Sequence, residues 1–388
     1  MKKPYFARPN LEGLEDRLCP ALDFFFNPAT GDLTITGEIP EDPLAVTPGL
    51  HVVSSAPGVF DILVNDVVAP VLDDFEVPGG FNIRLNSPGD DVVDFDLTLG
   101  GMAGNLSIDM GGQVIGDFVD IIGAGFGDVG GNLTITGGNF VSLIPVDVGG
   151  KVLINNSQAN VINTTLFEAL VGGDFTYLGG NDNDVLATAT SFIGGSMRVQ
   201  AGRGAIPLTL DSLDFGGVMG GSLFYTGSTG GDSIIIPGII GGNAVINNNV
   251  GVNDVVLSGT VAGNLVVSGG FDGDTVDLDP TAIVGGNIVV NVGDGLNDID
   301  LEGTIGGRSV SIRTGLDADS VLYDMVGANV QLFAQLSLGD DDFTLGTAAP
   351  SPNPTLRYLY IDFGFGSDTF VNNFVGPFTF PAYLRNLP

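Results

Sequence analysis

The sequence predicts an all-β fold: a single-stranded, right-handed parallel β-helix, or β-solenoid, of about a dozen or more coils of roughly 21 residues. Three observations carry this. A doublet of small residues recurs at Gly220-Gly221, Gly241-Gly242, Ala262-Gly263, Gly285-Gly286, Gly306-Gly307 and Gly327-Ala328, at steps of 21, 21, 23, 21 and 21 residues. Each doublet precedes a short alternating segment such as Asn132–Thr136, Asn264–Ser268 or Asn287–Asn291. Within these, Leu133 and Ile135, or Ile288 and Val290, fall at period two on one face, as in a half-buried strand. The third observation is composition: 61 Gly and 21 Pro occur alongside 44% hydrophobic residues. A disordered chain would lack that apolar content, so the mixture reads as short strands separated by tight turns.

The repeating unit can be followed element by element. After the doublet and its strand comes a glycine-rich turn, then a second strand opened by Asp, as in Asp254–Leu257, Asp274–Leu278 and Asp298–Leu301. A Gly-Thr-Val or Gly-Thr-Ile closes the unit at Gly259–Val261 and Gly303–Ile305, so two strands and a shorter third fit each period. One unit of this size cannot bury enough apolar surface to fold alone, and its stability must come from the coils above and below. Stacking would align the Asn residues at 132, 243, 264 and 287 as an amide ladder.

Looser doublets at Gly130, Gly149, Gly172 and Gly194 extend the pattern upstream, and degenerate coils are expected through Gly79-Gly80 and Ala103-Gly104 to Gly31–Thr36. The chain thus divides into an N-terminal export or sorting segment (1–22), irregular coils or a cap (23–78), the β-helix repeats (79–373) and a C-terminal cap (374–388). Ala348–Pro354, rich in proline, reads as a protruding loop, and Leu356–Ile361 with Asp368–Val371 as a last coil.

Charge narrows the function classes. With 46 acidic against 12 basic residues the formal net charge is −34, which would repel a phosphate backbone, so no nucleic-acid partner is expected. Divalent cations and basic surfaces suit such a chain. No apolar run reaches the length of a membrane-spanning helix. The start, Met1-Lys2-Lys3-Pro4, lacks the apolar centre of an ordinary signal peptide, and the lone Cys19 cannot form an internal disulfide.

Candidate chemistry rests on aspartate. Asp232, Asp254, Asp274, Asp298, Asp319, Asp342 and Asp368 recur at intervals of 22, 20, 24, 21, 23 and 26, and stacked coils would set them in one carboxylate column. A bound cation would relieve the repulsion; alternatively, each Asp caps its own turn through an Asx hydrogen bond and stays solvated. Gly179–Ala187, with Asp182 and Asp184, and Gly269–Asp277, with Asp272 and Asp274, resemble the calcium-binding nonapeptide G-G-x-G-x-D-x-U-x of RTX-type repeat proteins, departing at its fourth position. The resemblance implies Ca²⁺ held by turn oxygens of adjacent coils.

No catalytic residues are expected. His51 is the single histidine and reads as a turn or surface residue; Arg198, Arg203, Arg308 and Arg313 do not reproduce a polysaccharide-lyase spacing, and Trp is absent. The Thr-x-Thr of an ice-binding face is clear only at Thr34/Thr36 and Thr134/Thr136.

Residues Leu11-Glu-Gly-Leu-Glu-Asp-Arg17 resemble the L-E-x-L-E-x-R sorting segment that opens many planctomycete extracellular and surface proteins. The resemblance implies export and an adhesin-like, calcium-binding or structural β domain. The expected role is therefore a secreted or cell-surface solenoid presenting an acidic rigid surface to envelope or extracellular-matrix components, stabilised by Ca²⁺. The alternative is a polysaccharide-binding or polysaccharide-degrading β-helix. Oligomeric state is not legible.

Overall fold

The computed structural model describes residues 22–39, 49–65, 71–85, 90–111, 116–125, 127–158, 163–180, 184–188, 190–202, 211–346, 355–373 and 381–386. The L-E-x-L-E-x-R segment, Cys19, Asp182, Arg203, the loop at Ala348–Pro354 and most of the C-terminal cap lie outside them.

Among the described residues every regular element is a strand, and the strands stack as parallel coils of a β-solenoid. Strands that follow the small-residue doublets form one sheet. It runs without interruption from Asp32–Gly37 to Ala382–Arg385, where fourteen parallel pairings join fifteen strands among the described residues. The Asp-opened strands form the second sheet, for example Asp254–Leu257 on Thr275–Leu278 on Asp298–Leu301. Two-residue strands such as Thr260–Val261, Ile283–Val284 and Thr304–Ile305 make a third stack. In the coils of Phe140–Val148 and Asn163–Val171 one long strand serves both of the latter stacks. The predicted two strands and a shorter third per coil are what the chain builds.

Side chains alternate in and out along each strand, so each inward position becomes a column of like residues. Ile35, Ile83, Ile108, Ile135 and Ile154 stand one above another in the first sheet. Leu257, Leu278 and Leu301 do the same in the second, and Val261, Val284 and Ile305 in the third. All are buried in one continuous core. Burying a Leu or Ile side chain contributes about 2 kcal/mol, and every coil supplies several to a core that its neighbours close.

The glycine doublets mark the tight corners where coils approach most closely. Gly242 donates its N–H to the Gly221 carbonyl at 2.7 Å, and Gly263 to that of Gly242 at 2.8 Å. A Cβ at Gly242 would overlap the Ser222 Oγ below it. Where the doublet reads Gly327-Ala328 the corner straightens instead into a long strand, Val326–Gln335.

The first coil departs from the regular pattern. Leu22–Asn27 pairs antiparallel with Asp32–Gly37, and Gly49–Ala56, Val59–Val64 and Leu72–Glu76 form an antiparallel meander. Asp32–Gly37 and Gly49–Ala56 also carry the first parallel rungs. The antiparallel strands occupy an edge that would otherwise present unpaired N–H and C=O groups.

Candidate functional site

The acidic residues singled out from their spacing fall into two adjacent registers, not one column. Asp211 pairs with Asp232, whereas Asp254 pairs with Ser233, Asp298 with Thr275 and Asp342 with Ser320. Asp254, Asp298 and Asp342 therefore point outward and are exposed, while Asp184, Asp232, Asp274, Asp319 and Asp368 are buried. A shift of one residue turns a side chain to the opposite face, and approximate spacing cannot see that shift.

The register that holds the buried aspartates carries Asp or Asn at every coil, with Asn139 only half-buried. Read from the strand registers, it runs Asp91, Asp117, Asn139, Asn163, Asp184, Asp211, Asp232, Asn253, Asp274, Asn297, Asp319, Asp341, Asp368. Each member sits where the glycine-rich turn enters the second sheet. At many steps the Oδ1 accepts the backbone N–H of the member one coil earlier: Asp184 to Asp211 at 2.7 Å, Asp232 to Asn253 at 3.0 Å, Asp274 to Asn297 at 3.0 Å, Asp319 to Asp341 at 3.0 Å; the Asp211 N–H donates instead to the Gly231 carbonyl at 3.1 Å. The expectation that each Asp caps its own turn and stays solvated holds only in part: Asp184 and Asp232 do accept an N–H of their own turn, but the carboxyls of this register also serve the neighbouring coil and are out of water.

The opposite corner holds a second ladder of reversed sense. There the later coil's N–H donates to the earlier side chain: Asn264 to Asn243 Oδ1 and Asn287 to Asn264 Oδ1, both at 2.8 Å. Asn132 Oδ1 likewise accepts from Lys151 at 2.8 Å. The expected amide ladder is present, extended by the Ser222 and Ser196 hydroxyls and the Asp174 carboxylate. Side chains thus lock coil to coil at both ends of the first sheet.

The turns match the chemistry of the buried register. Asn253 donates Nδ2 to the Gly251 carbonyl, and Asn297 to those of Gly293 and Gly295. Asp184 instead receives N–H from Gly180 and hydroxyl from Tyr177 (3.1 and 2.9 Å), and Asp232 receives them from Ser228 and Tyr225 (3.3 and 3.2 Å). Tyr177 and Tyr225 lie seven residues before their aspartates, a spacing that sequence reasoning passed over. Burial raises Asp232 to about 7 and Asp117 to about 6, and pushes Asp211, Asp274 and Asp319 upward as well.

In the two nonapeptide-like stretches the sixth-position aspartates, Asp184 and Asp274, belong to this buried series. Asp272 is exposed in its turn and accepts the Gly251 N–H at 3.2 Å. Among the described residues no three acidic, histidine or cysteine side chains converge as a metal site.

The outward acidic residues make a different surface. In the register of Asp254 carboxylates alternate with hydroxyls: Ser233, Asp254, Thr275, Asp298, Ser320, Asp342, Thr369. Successive charges there stand two coils, about 9.6 Å, apart. Beside it Asp277 and Asp300 stack directly. Desolvation, then Glu302 and Asp277, raise Asp300 to about 6; Asp277 and Glu302 are raised by burial and by acidic neighbours, including Asp324 beside Glu302.

Cations are elsewhere. Arg198 lies over the Phe224 ring at 5.7 Å, Arg313 stacks between Asn291 and Gln335, and the Arg308 N–H donates to Asn287 Oδ1. Their partners there carry no carboxylate. His51 lies in a strand, not a turn, with Nδ1 3.3 Å from Asp94 Oδ2. Its register continues Asp94, Asp120, Ser142, so two carboxylates separate the imidazole from that hydroxyl. A depression lined by Ala124, Gly125, Pro145, Val146, Glu168, Ala169, Leu170 and Thr190 offers one ionisable side chain. Thr34/Thr36 and Thr134/Thr136 are separated by Asn82/Arg84 and Ser107/Asp109, which breaks any threonine array.

No known family, curated protein or solved structure matches the chain. No helix long and apolar enough to cross a membrane is found among the described residues.

Proposed function

We propose that this protein is a secreted or cell-surface structural element, adhesin-like in use, that presents a stiff acidic rod to envelope or matrix components and acts by surface display, not catalysis. The observation that carries the reading is the uninterrupted parallel ladder, locked at two corners, with carboxylates concentrated outward around Asp277, Asp298, Asp300 and Glu302. Ca²⁺ enters as a counter-ion along that outward patch, where like charges lie closest, and not within the hydrogen-bonded buried register. Fractionation of the producing cells tests the placement: recovery in the envelope or medium supports it, and recovery confined to the cytosol ends it. A calcium titration followed by thermal melting tests the counter-ion, which fails if millimolar Ca²⁺ leaves the midpoint unmoved.

A second reading, binding of a polysaccharide, is favoured by one observation. On the outer face near the C-terminal end, Phe333 and Tyr358 rings lie 5.3 Å apart and Tyr358 and Tyr383 5.6 Å apart. Arg385 stands 3.6 Å from Asp362 beside them. Exposed rings flanked by planar polar groups suit the faces and hydroxyls of a sugar chain. Retardation of the protein in gels containing a neutral glucan, lost in Tyr383→Ala, would select this reading.

A further inference from the structure

We propose that the last three members of the buried register, Asp319, Asp341 and Asp368, form a proton-binding run in which Asp341 is the neutral acid at neutral pH and donates its Oδ2 proton to Oδ1 of Asp368. The argument begins with the two amides further down the same register. Asn253 donates Nδ2 to Asp274 Oδ1 at 2.7 Å, and Asn297 donates Nδ2 to Asp319 Oδ1 at 2.8 Å. The position thus asks each residue for two things: an acceptor toward the coil before and a donor toward the coil after. Asparagine supplies both, whereas aspartate supplies the donor only when it carries a proton.

Between Asp319 and Asp368 no amide intervenes. Asp319 N–H donates to Asp341 Oδ1 and Asp341 N–H to Asp368 Oδ1, each at 3.0 Å, so every Oδ1 is engaged. The Oδ2 atoms of all three are buried; those of Asp341 and Asp368 have no hydrogen-bond partner, and the Thr314 hydroxyl stands beside the Asp319 carboxyl. All three side chains lie within a tenth of full burial, and Asp341 is fully enclosed. Stacked coils set neighbouring carboxyls roughly 4.8 Å apart.

Asp341 is also the crossing point of two acidic triplets, since Asp340 and Asp342 flank it along the chain. The groups facing it are Asp319 and Asp368 along the axis and Asp340 on its turn, with Asp317 beside Asp319 and the Asn297 amide one coil further. The ion pairs formed among the described residues involve His51, Lys151 and Arg385, none of them with this run. With no cation among these neighbours, a proton is the ligand that the geometry accommodates. Burial, then Asp319 and Asp368, hold Asp341 up at about 7, in the same sense.

The sign of the consequence follows. A carboxyl raised above its unfolded value binds a proton more tightly when folded, so its stabilisation is present at low pH and is lost as pH rises through the folded value. The run should hold the C-terminal coils together best at and below about pH 4, loosen them progressively as pH rises from there through about 7, and change little above that.

Asp341→Asn tests this, because the amide supplies the donor permanently. The wild type is expected to lose several degrees of melting midpoint between pH 5 and pH 8. The variant should lie close to it at pH 5 and exceed it by more at pH 8. Infrared spectra at pH 7 should show a carboxylic-acid carbonyl band in the wild type that diminishes in the variant. An equal loss of stability in Asp341→Asn at both pH values would overturn the proposal. So would a wild-type spectrum with no acid band at pH 7, a result that stands whether or not the variant folds. A Ca²⁺-induced rise in the wild-type midpoint at pH 8 that disappears in the variant would make Asp341 a metal ligand and overturn it too.

Discussion

Asn297 Nδ2 lies 2.8 Å from Asp319 Oδ1, one coil along, while its backbone N–H reaches the same oxygen at 3.1 Å. One carboxylate oxygen thus takes two donors from the preceding coil, and the amide's remaining contacts go to the carbonyls of Gly293 and Gly295. Asn297→Asp removes the side-chain donor and sets a carboxylate against those carbonyls. It also joins Asp274 to Asp319 as an uninterrupted acidic run. The expected loss is about 1 to 3 kcal/mol at pH 8, smaller at pH 5, where the new carboxyl can be protonated and donate. Denaturant unfolding at the two pH values checks both the size and the trend.

Gly269 closes the turn over Asp274, and a Cβ built on it would overlap the Asp274 Oδ2. Neither partner can retreat easily, because Asp274 is buried and receives the Asn253 amide. Gly269→Ala should therefore cost about 2 kcal/mol or more, by displacing a buried carboxyl from its donors. Thermal melting reads the loss, and a spectrum of amide exchange should place it in the coils of Asn253 and Asn297 first.

The coil period, the corner doublets and the amide ladder were legible because they depend on small residues and amides returning at a near-constant step. Which aspartates share a face was not. Asp254, Asp298 and Asp342 keep the period as well as Asp232, Asp274 and Asp319 do, yet Asn253, Asn297 and Asp341, one residue earlier, hold the buried places. Turn lengths vary between coils, so a residue's offset from the doublet is good only to about one position, and one position is the whole difference between core and solvent. Alternation with the inward Val255, Ile299 and Phe343 marks the buried register two residues before each of them. Asparagine shares that register with aspartate, so acidity alone does not trace it.

Leu278 stands between Leu257 and Leu301 in the core column of the second sheet and is fully buried. Truncation to Ala removes contacts to both neighbours and leaves a cavity between stacked strands, at a cost of about 2 to 5 kcal/mol. Because each coil interacts chiefly with its neighbours, the damage should stay local. Hydrogen exchange should quicken in the coils of Leu257, Leu278 and Leu301 while that of Ile83 and Ile108 keeps its protection. Uniform loss of protection along the chain would show that the solenoid unfolds as one cooperative body.

Asp300 offers a test of the outward patch that the buried register cannot confuse. It stacks on Asp277, and burial followed by Glu302, Asp277 and Asp298 raise it to about 6 from an ordinary value of 3.8. A raised carboxyl favours the fold when protonated, so its unfavourable charge is absent near pH 4, develops as pH climbs through about 6, and is complete by pH 8. Asp300→Asn removes the charge at every pH, so the variant should melt higher than wild type at pH 8 and alike at pH 4. The Coulomb part of the gain is screened by salt because the patch meets solvent, whereas the desolvation part is not. Adding NaCl at pH 8 should therefore narrow the gap without closing it. Millimolar Ca²⁺ should narrow it further than an equal ionic strength of NaCl if divalent ions gather on this face, and a gap indifferent to the ion used would remove calcium from the account of this surface.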